Sequence, residues 1–312
     1  FGREISEDRW VNMRNVDHRG PVVVEEFPGP RWSNWSEFYS ESGEVFKSPS
    51  PRRMAQVKVG LRSRDPMRAA QVSRIKLNFT PPLVDQALAE IWPVRGLELG
   101  REHQFTLYWQ PRFARTDPGF DKITLRSSAA APMDLISVQS GSDFSMHSGG
   151  GTALWPGELE LSRVAPGALE LAFPAVVREG DPVYAIRFRT KIFRNSTIFS
   201  IGLANSQRPG VEQRVSEGDV GSSAPSQSMV VVAALDQEQL FMDPEISSRI
   251  CTPNGDGIND ETVLRFSVFQ VDGPGIFNVG VYDLRGHRVR DLSFASQHIS
   301  GEHRVVWDGR DG

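Results

Sequence analysis

Apolar residues recur at every second position over short stretches of this chain, and Gly, Pro, Asn and Ser interrupt those stretches every ~8–12 residues. Neighbouring side chains on an extended strand point to opposite faces, so a period of two gathers the apolar groups on one face of a sheet. Phe105, Leu107 and Trp109 alternate in this way, as do Ile123 and Leu125. Tyr184, Ile186 and Phe188 share a face opposite Arg187 and Arg189, the pattern of a strand dry on one side and wet on the other. Strands are also predicted at 157–162, 168–173, 182–193, 197–203 and 229–235. Nothing between 93 and 246 carries the spacing of an amphipathic helix.

The middle region, 93–246, therefore reads as an aligned β-sandwich of immunoglobulin or cohesin type. Its polar stretch 205–227 is predicted as a long loop holding one edge strand, and 141–151 as a flexible segment. Before it, strands are predicted at 21–26, 55–62 and 71–80, the last with Ile75, Leu77 and Phe79 on one face. Residues 83–92 read two ways. Leu83, Ala87 and Ile91 have the four-residue spacing of a short helix, whereas the surrounding pattern favours a strand.

Composition narrows the class. With 39% hydrophobic and 24% charged residues, 28 Gly and 21 Pro, the chain is turn-rich and globular, and its 312 residues suit two or three domains. A net charge of −4 offers no basic face for nucleic acid, and no apolar run reaches the roughly 20 residues of a transmembrane segment. Phe1 reads as mature sequence with no signal peptide before it. The single cysteine, Cys251, excludes an internal disulfide framework and reads as a small buried side chain. No nucleophile elbow, zinc-protease motif, phosphate-binding glycine loop or paired cysteines occur, and the 6 histidines lack metal-ligand spacing. The expectation is a protein that is not an enzyme.

The densest chemistry lies in 247–260, where Asn254, Asp256, Asn259 and Asp260 are interleaved with Gly255 and Gly257. A hard cation such as Ca2+ takes several oxygens from carboxylates, amides and carbonyls, and glycine lets a chain curl tightly enough to present them. Asn254, Asp256 and Asp260 are accordingly candidate calcium ligands. The segment lacks the terminal glutamate of an EF-hand loop, and the same residue types also build turns that hold no metal.

From this loop to the C-terminal end the chain carries a resemblance. TPNGDGIND, then VYDLRGHRVR, then GEHRVVWDGRDG, in that order, resembles the Ig-like domain of the flagellar hook-cap family and the C-terminal sorting domains of bacterial surface proteins. The resemblance implies an Ig-like sandwich over 247–312 that lacks its closing hairpin, with an open edge after 302–307 that either residues beyond 312 or a neighbouring subunit would complete. Residues 32–83 are similar to the second half of a discoidin-type, galactose-binding-like jelly roll, which implies a partial jelly roll over 1–92 and an extended strand at 83–92. Such jelly rolls bind glycans through loops, and Trp10, Trp32 and Trp35 are the side chains that could stack on a sugar or fill a core. Arg52 and Arg53 could meet an acidic sugar or simply line a solvated turn.

Taken together, the expectation is an all-β chain of tandem sandwiches: a partial jelly roll, an Ig/cohesin-like sandwich and a truncated Ig-like sandwich. It would serve as a non-enzymatic structural or adhesive component at the outer surface of a bacterium or secreted from it, with other protein subunits as partners. The alternatives are a carbohydrate-binding region of a larger secreted enzyme and a hook-type assembly scaffold.

Overall fold

The computed structural model describes residues 12, 32–33, 35–44, 46–48, 51, 54–61, 63, 67, 69–234 and 240–311, and is nearly all β, with 43% strand and 2% helix. The chain divides into two units, Phe1–Trp35 and Ser36–Gly312, and every described strand belongs to the second.

Twelve strands build a sandwich: β1 (Gln86–Trp92), β2 (Glu102–Arg112), β3 (Phe120–Ser127), β4 (Met133–Gly141), β5 (Thr152–Trp155), β6 (Glu160–Ala165), β7 (Ala168–Val177), β8 (Val183–Lys191), β9 (Ser196–Ala204), β10 (Glu212–Arg214), β11 (Ser216–Glu217) and β12 (Val230–Val232). One sheet runs β11-β1-β2-β8-β4-β5 and the other β10-β9-β3-β7-β6, with β12 also on β9. The alternation read from sequence becomes the core. Phe105, Leu107, Trp109, Ile186 and Phe188 of the first sheet face Ile123, Leu125, Leu171, Phe199 and Ile201 of the second, all buried, while Arg189 on the far face of β8 is exposed. Trp109 stacks on Tyr184 at 4.6 Å, and the Phe199 ring lies 5.5 Å from both Phe105 and Phe188.

Residues 83–92 settle as a strand, because Ala87, Ala89 and Ile91 all turn into the core at period two and β1 pairs along its whole length with β2. The buried Gln213 side chain fixes where that strand begins, accepting from the Leu83 and Val84 amides and donating to the Val84 carbonyl. The incoming and outgoing ends of the sandwich lie side by side in parallel. β1 pairs parallel with β11, the Ile91 amide donates to the Ser228 carbonyl, and the Val232 and Ala234 amides donate to the Val94 and Leu97 carbonyls.

Other sequence expectations are corrected. Residues 55–61 and 71–80, predicted as strands, join no ladder, and every described side chain there is exposed. Their alternation is real, but alternation sets only the faces of a strand, and an extended segment becomes one by joining a ladder. The expected strand at 21–26 falls outside the described residues. The supposedly flexible 141–151 contains the short helix α1 (Asp143–His147), whose Ser142 cap accepts from the Ser145 amide.

The remaining strands form a smaller module: β13 (Phe241–Ile246), β14 (Thr262–Val268), β15 (Gly275–Phe277), β16 (Gly280–Tyr282), β17 (Arg288–Asp291), β18 (Phe294–Ser296) and β19 (Gly301–Trp307). One layer is the sheet β13-β14-β19. The other is a long bent hairpin, β15-β18 and β16-β17, joined across its bend by the Leu292 amide on the Val279 carbonyl. Phe266, Val268 and Val305 are buried between the layers, and Leu264, Val271, Phe277, Val279, Leu292, Phe294 and Ile299 are only partly covered. Residues 241–246 pair with β14, and residues 86–92 pair with β2.

Candidate functional site

The Asn/Asp/Gly segment is a loop whose oxygens serve its own backbone. Asp260 accepts from the Gly255 amide through Oδ1 and from the Gly257 amide through Oδ2, both at 2.7 Å. Asn254 Oδ1 accepts from the Asp256 amide and Asp256 Oδ1 from the Ile258 amide, while Asn254 Nδ2 donates to Asp256 Oδ2. Gly255 and Gly257 sit at φ of 82° and 80°, conformations open to glycine and strained for other residues. The Gly255 and Gly257 amides hold the Asp260 carboxyl below its ordinary pKa. These oxygens turn inward and accept from N–H groups, and no three acidic, histidine or cysteine side chains among the described residues converge as a metal site. In this arrangement the side-chain oxygens of Asn254, Asp256 and Asp260 serve donors of the loop itself, which is the geometry of an Asx- and glycine-rich turn.

Trp32 and Trp35 are 41% and 54% exposed, Tyr39 is also exposed, and Trp10, Arg52 and Arg53 lie outside the described residues.

Two features went unnoticed in the sequence. The first is Glu90, 1% exposed in the middle of β1, whose Oε1 accepts from the Val220 amide at 3.0 Å while Oε2 has no partner. Three successive amides of the 218–222 loop each find a carboxylate: Val220 on Glu90, Gly221 on Asp219 and Ser222 on Asp143 of α1. Burial, with Asp219 and Asp143 nearby, pushes the Glu90 carboxyl up to about 7 despite its bond from Val220. Across the ladder from Glu90 stands Tyr108, whose own pKa burial raises. A single acidic letter inside an otherwise apolar strand was the available signal.

The second is the joint between the two modules. Directly after β14, Phe269 leaves the small module and is buried in the core cluster of the sandwich, its ring 5.6 Å from that of Phe193. The Gln270 amide donates to the Phe193 carbonyl and the Phe269 amide to the Leu240 carbonyl. Ion pairs Lys191–Glu302 and Arg194–Asp272 flank the plug. Gly100, at φ 73°, makes room for it: a Cβ there would stand 2.9 Å from the Phe269 ring.

No family model matches the chain, and no curated protein matches its sequence. Among solved structures it is similar to the cohesin module of a family 33 glycoside hydrolase from Clostridium perfringens, at 12% identity over 47% of this chain and 96% of that one, with a TM-score of 0.27. It is also similar to a DUF4466 family protein from Parabacteroides merdae (10% identity, 65% and 76% covered, TM-score 0.31). A third likeness is to a C-terminal fragment of a major pilin from Streptococcus agalactiae (8% identity, 71% and 78% covered, TM-score 0.28). At these identities and scores nothing about activity passes from those proteins to this chain.

Proposed function

We propose that this chain is a non-enzymatic structural component of an extracellular or cell-surface assembly of a bacterium, acting as stiffly joined β modules that hold other subunits at fixed separation. The observation that carries this reading is the built joint, where an aromatic side chain of one module completes the core of the next and two ion pairs brace its rim. Modules that need only be tethered have no use for such a plug, since a polar linker costs less to encode and leaves both cores closed. Glu90, the described carboxylate held furthest above its usual pKa, bonds a backbone amide and thereby serves the fold. No helix among the described residues is long and apolar enough to cross a membrane.

Small-angle scattering of the whole chain and of Phe269→Ala tests it. The truncation removes about 3–5 kcal/mol of packing, and the expected result is one narrow distance distribution for the parent and a broadened one for the variant. A parent chain already as broad as the variant, or a catalysed turnover, would contradict the proposal.

A further inference from the structure

Beside the Phe269 plug, between the sandwich and the small module, lies a cleft of about 700 Å³. One wall holds Arg101, where the chain enters β2, and Lys191 at the end of β8. The other is the outer face of the small sheet, with Glu245 of β13, Arg265 of β14, and Glu302 and Arg304 of β19. Neighbouring side chains on a strand take opposite faces, so the burial of Phe266 and Val305 in the small core sends Arg265 and Arg304 the other way, into the cleft. Four cations thus meet two carboxylates here, a positive surplus in a chain whose net charge is −4.

The register concentrates that surplus. Arg265 and Arg304 stand directly opposite each other on the β14–β19 ladder, and like charges so placed repel. The nearby acids do little to relieve them. Glu302 is taken by Lys191, in the ion pair that spans the cleft, and Glu261 reaches Arg304 only at 3.7 Å with both side chains more than half exposed. Glu245, opposite Arg265 on the β13–β14 ladder, comes within ion-pair distance of no basic group among the described residues. Arg101 meets Glu98 at 3.9 Å with both groups in water. Exposed pairs of this kind contribute little, so the planar forks of Arg101, Arg265 and Arg304 remain available to grip a carboxylate or phosphate in the two-pronged geometry that suits them.

We propose that this cleft is a binding site for a small ligand carrying two or more oxyanion groups of carboxylate or phosphate type, one held between Arg265 and Arg304 and another by Arg101 across the gap. Its volume is that of a pocket for a small organic molecule, and a seam between modules is a usual place for one. A sugar without acid groups is a poorer match, because the aromatic rings at the cleft, Phe266 and Phe269, are buried and offer no face to stack on. A ligand reaching both walls would tie the small module to the sandwich beside the plug. The site needs only those two walls, so it stands apart from the structural role proposed for the chain.

Titration calorimetry of the whole chain with citrate and with pyrophosphate tests this, with acetate as the single-group comparison. The expected result is saturable binding of citrate or pyrophosphate that weakens as salt is raised and is about tenfold or more tighter than that of acetate. Whichever of the two binds more tightly assigns the recognised group as carboxylate or phosphate. Arg265→Gln with Arg304→Gln, and separately Arg101→Gln, are each expected to weaken binding about tenfold or more, and Arg304→Lys, which keeps the charge and loses the fork, by less than Arg304→Gln. Arg112→Gln with Arg115→Gln removes equal charge at and beyond the far end of β2, where both residues are exposed, and is expected to leave binding within about twofold of the parent. The altered side chains are exposed, so each variant should melt as the parent does without ligand. No saturable binding of either probe overturns the proposal. So does an equal loss in the Arg112 and Arg115 variant, or an Arg101→Gln protein that binds as the parent does.

Discussion

Glu90 concentrates the electrostatic cost of the sandwich in one side chain. It is buried on the face of β1 turned away from the core, under the 218–222 loop and beside Asp219 and Asp143, so the fold favours its neutral form, and its carboxyl titrates at about 7 against an ordinary 4.5. A raised carboxylate adds stability that is fully present below 4.5 and is lost as pH rises through 7, by on the order of 3 kcal/mol. Glu90→Gln is therefore expected to melt higher than the parent at pH 8 and to flatten the fall in melting temperature between pH 5 and 8; a parallel fall in both proteins would contradict this. Asp260, Asp283 and Asp291 act in the opposite sense, since their amide and hydroxyl donors lower their pKa and what they contribute is lost only in acid. At this scale the sequence was legible where a side chain's own period decided its place, as for Phe105 or Ile186. It was silent on Glu90, whose burial depends on a loop about 130 residues away.

Among elements, the 252–260 loop shows how a ligand-like composition also closes a turn from within. An amide donor satisfied by a side-chain oxygen two to five residues away fixes the turn from within, and Asp260 does this twice. On the turn reading, chelator and added calcium leave the melting temperature of the parent unchanged, whereas Asp260→Ala lowers it by freeing the Gly255 and Gly257 amides; a calcium-dependent rise in the parent would favour the metal reading instead. β4 was missed for a related local reason. A bulge between Leu135 and Ser137 breaks its alternation, and only Met133 and Val138 are fully buried, so no period of two runs through it. Residues 71–80 erred the other way, with a clear period and no ladder, because alternation encodes the faces of a strand and says nothing of what lies beside it.

For the molecule as a whole, the all-β class and the two-layer middle were readable because turn-punctuated alternation has few other solutions. The joint was not, since Phe269 reads as one more apolar residue at a strand end until its neighbour across the modules, Phe193, is known. The parallel stitching of the sandwich's two ends bears on how such a chain responds to tension. Drawing residue 83 and residue 234 apart slides β1 along β11, and Leu97 along Ala233, so the Ile91, Val232 and Ala234 amide bonds must yield together and not one after another. Single-molecule pulling through those two positions is expected to need a higher force than pulling through 160 and 177, which peels the β6–β7 hairpin bond by bond; equal forces would refute it. A fibre made of such units would carry its load through the strands that enter and leave each sandwich, leaving the aromatic interior unstressed until they part.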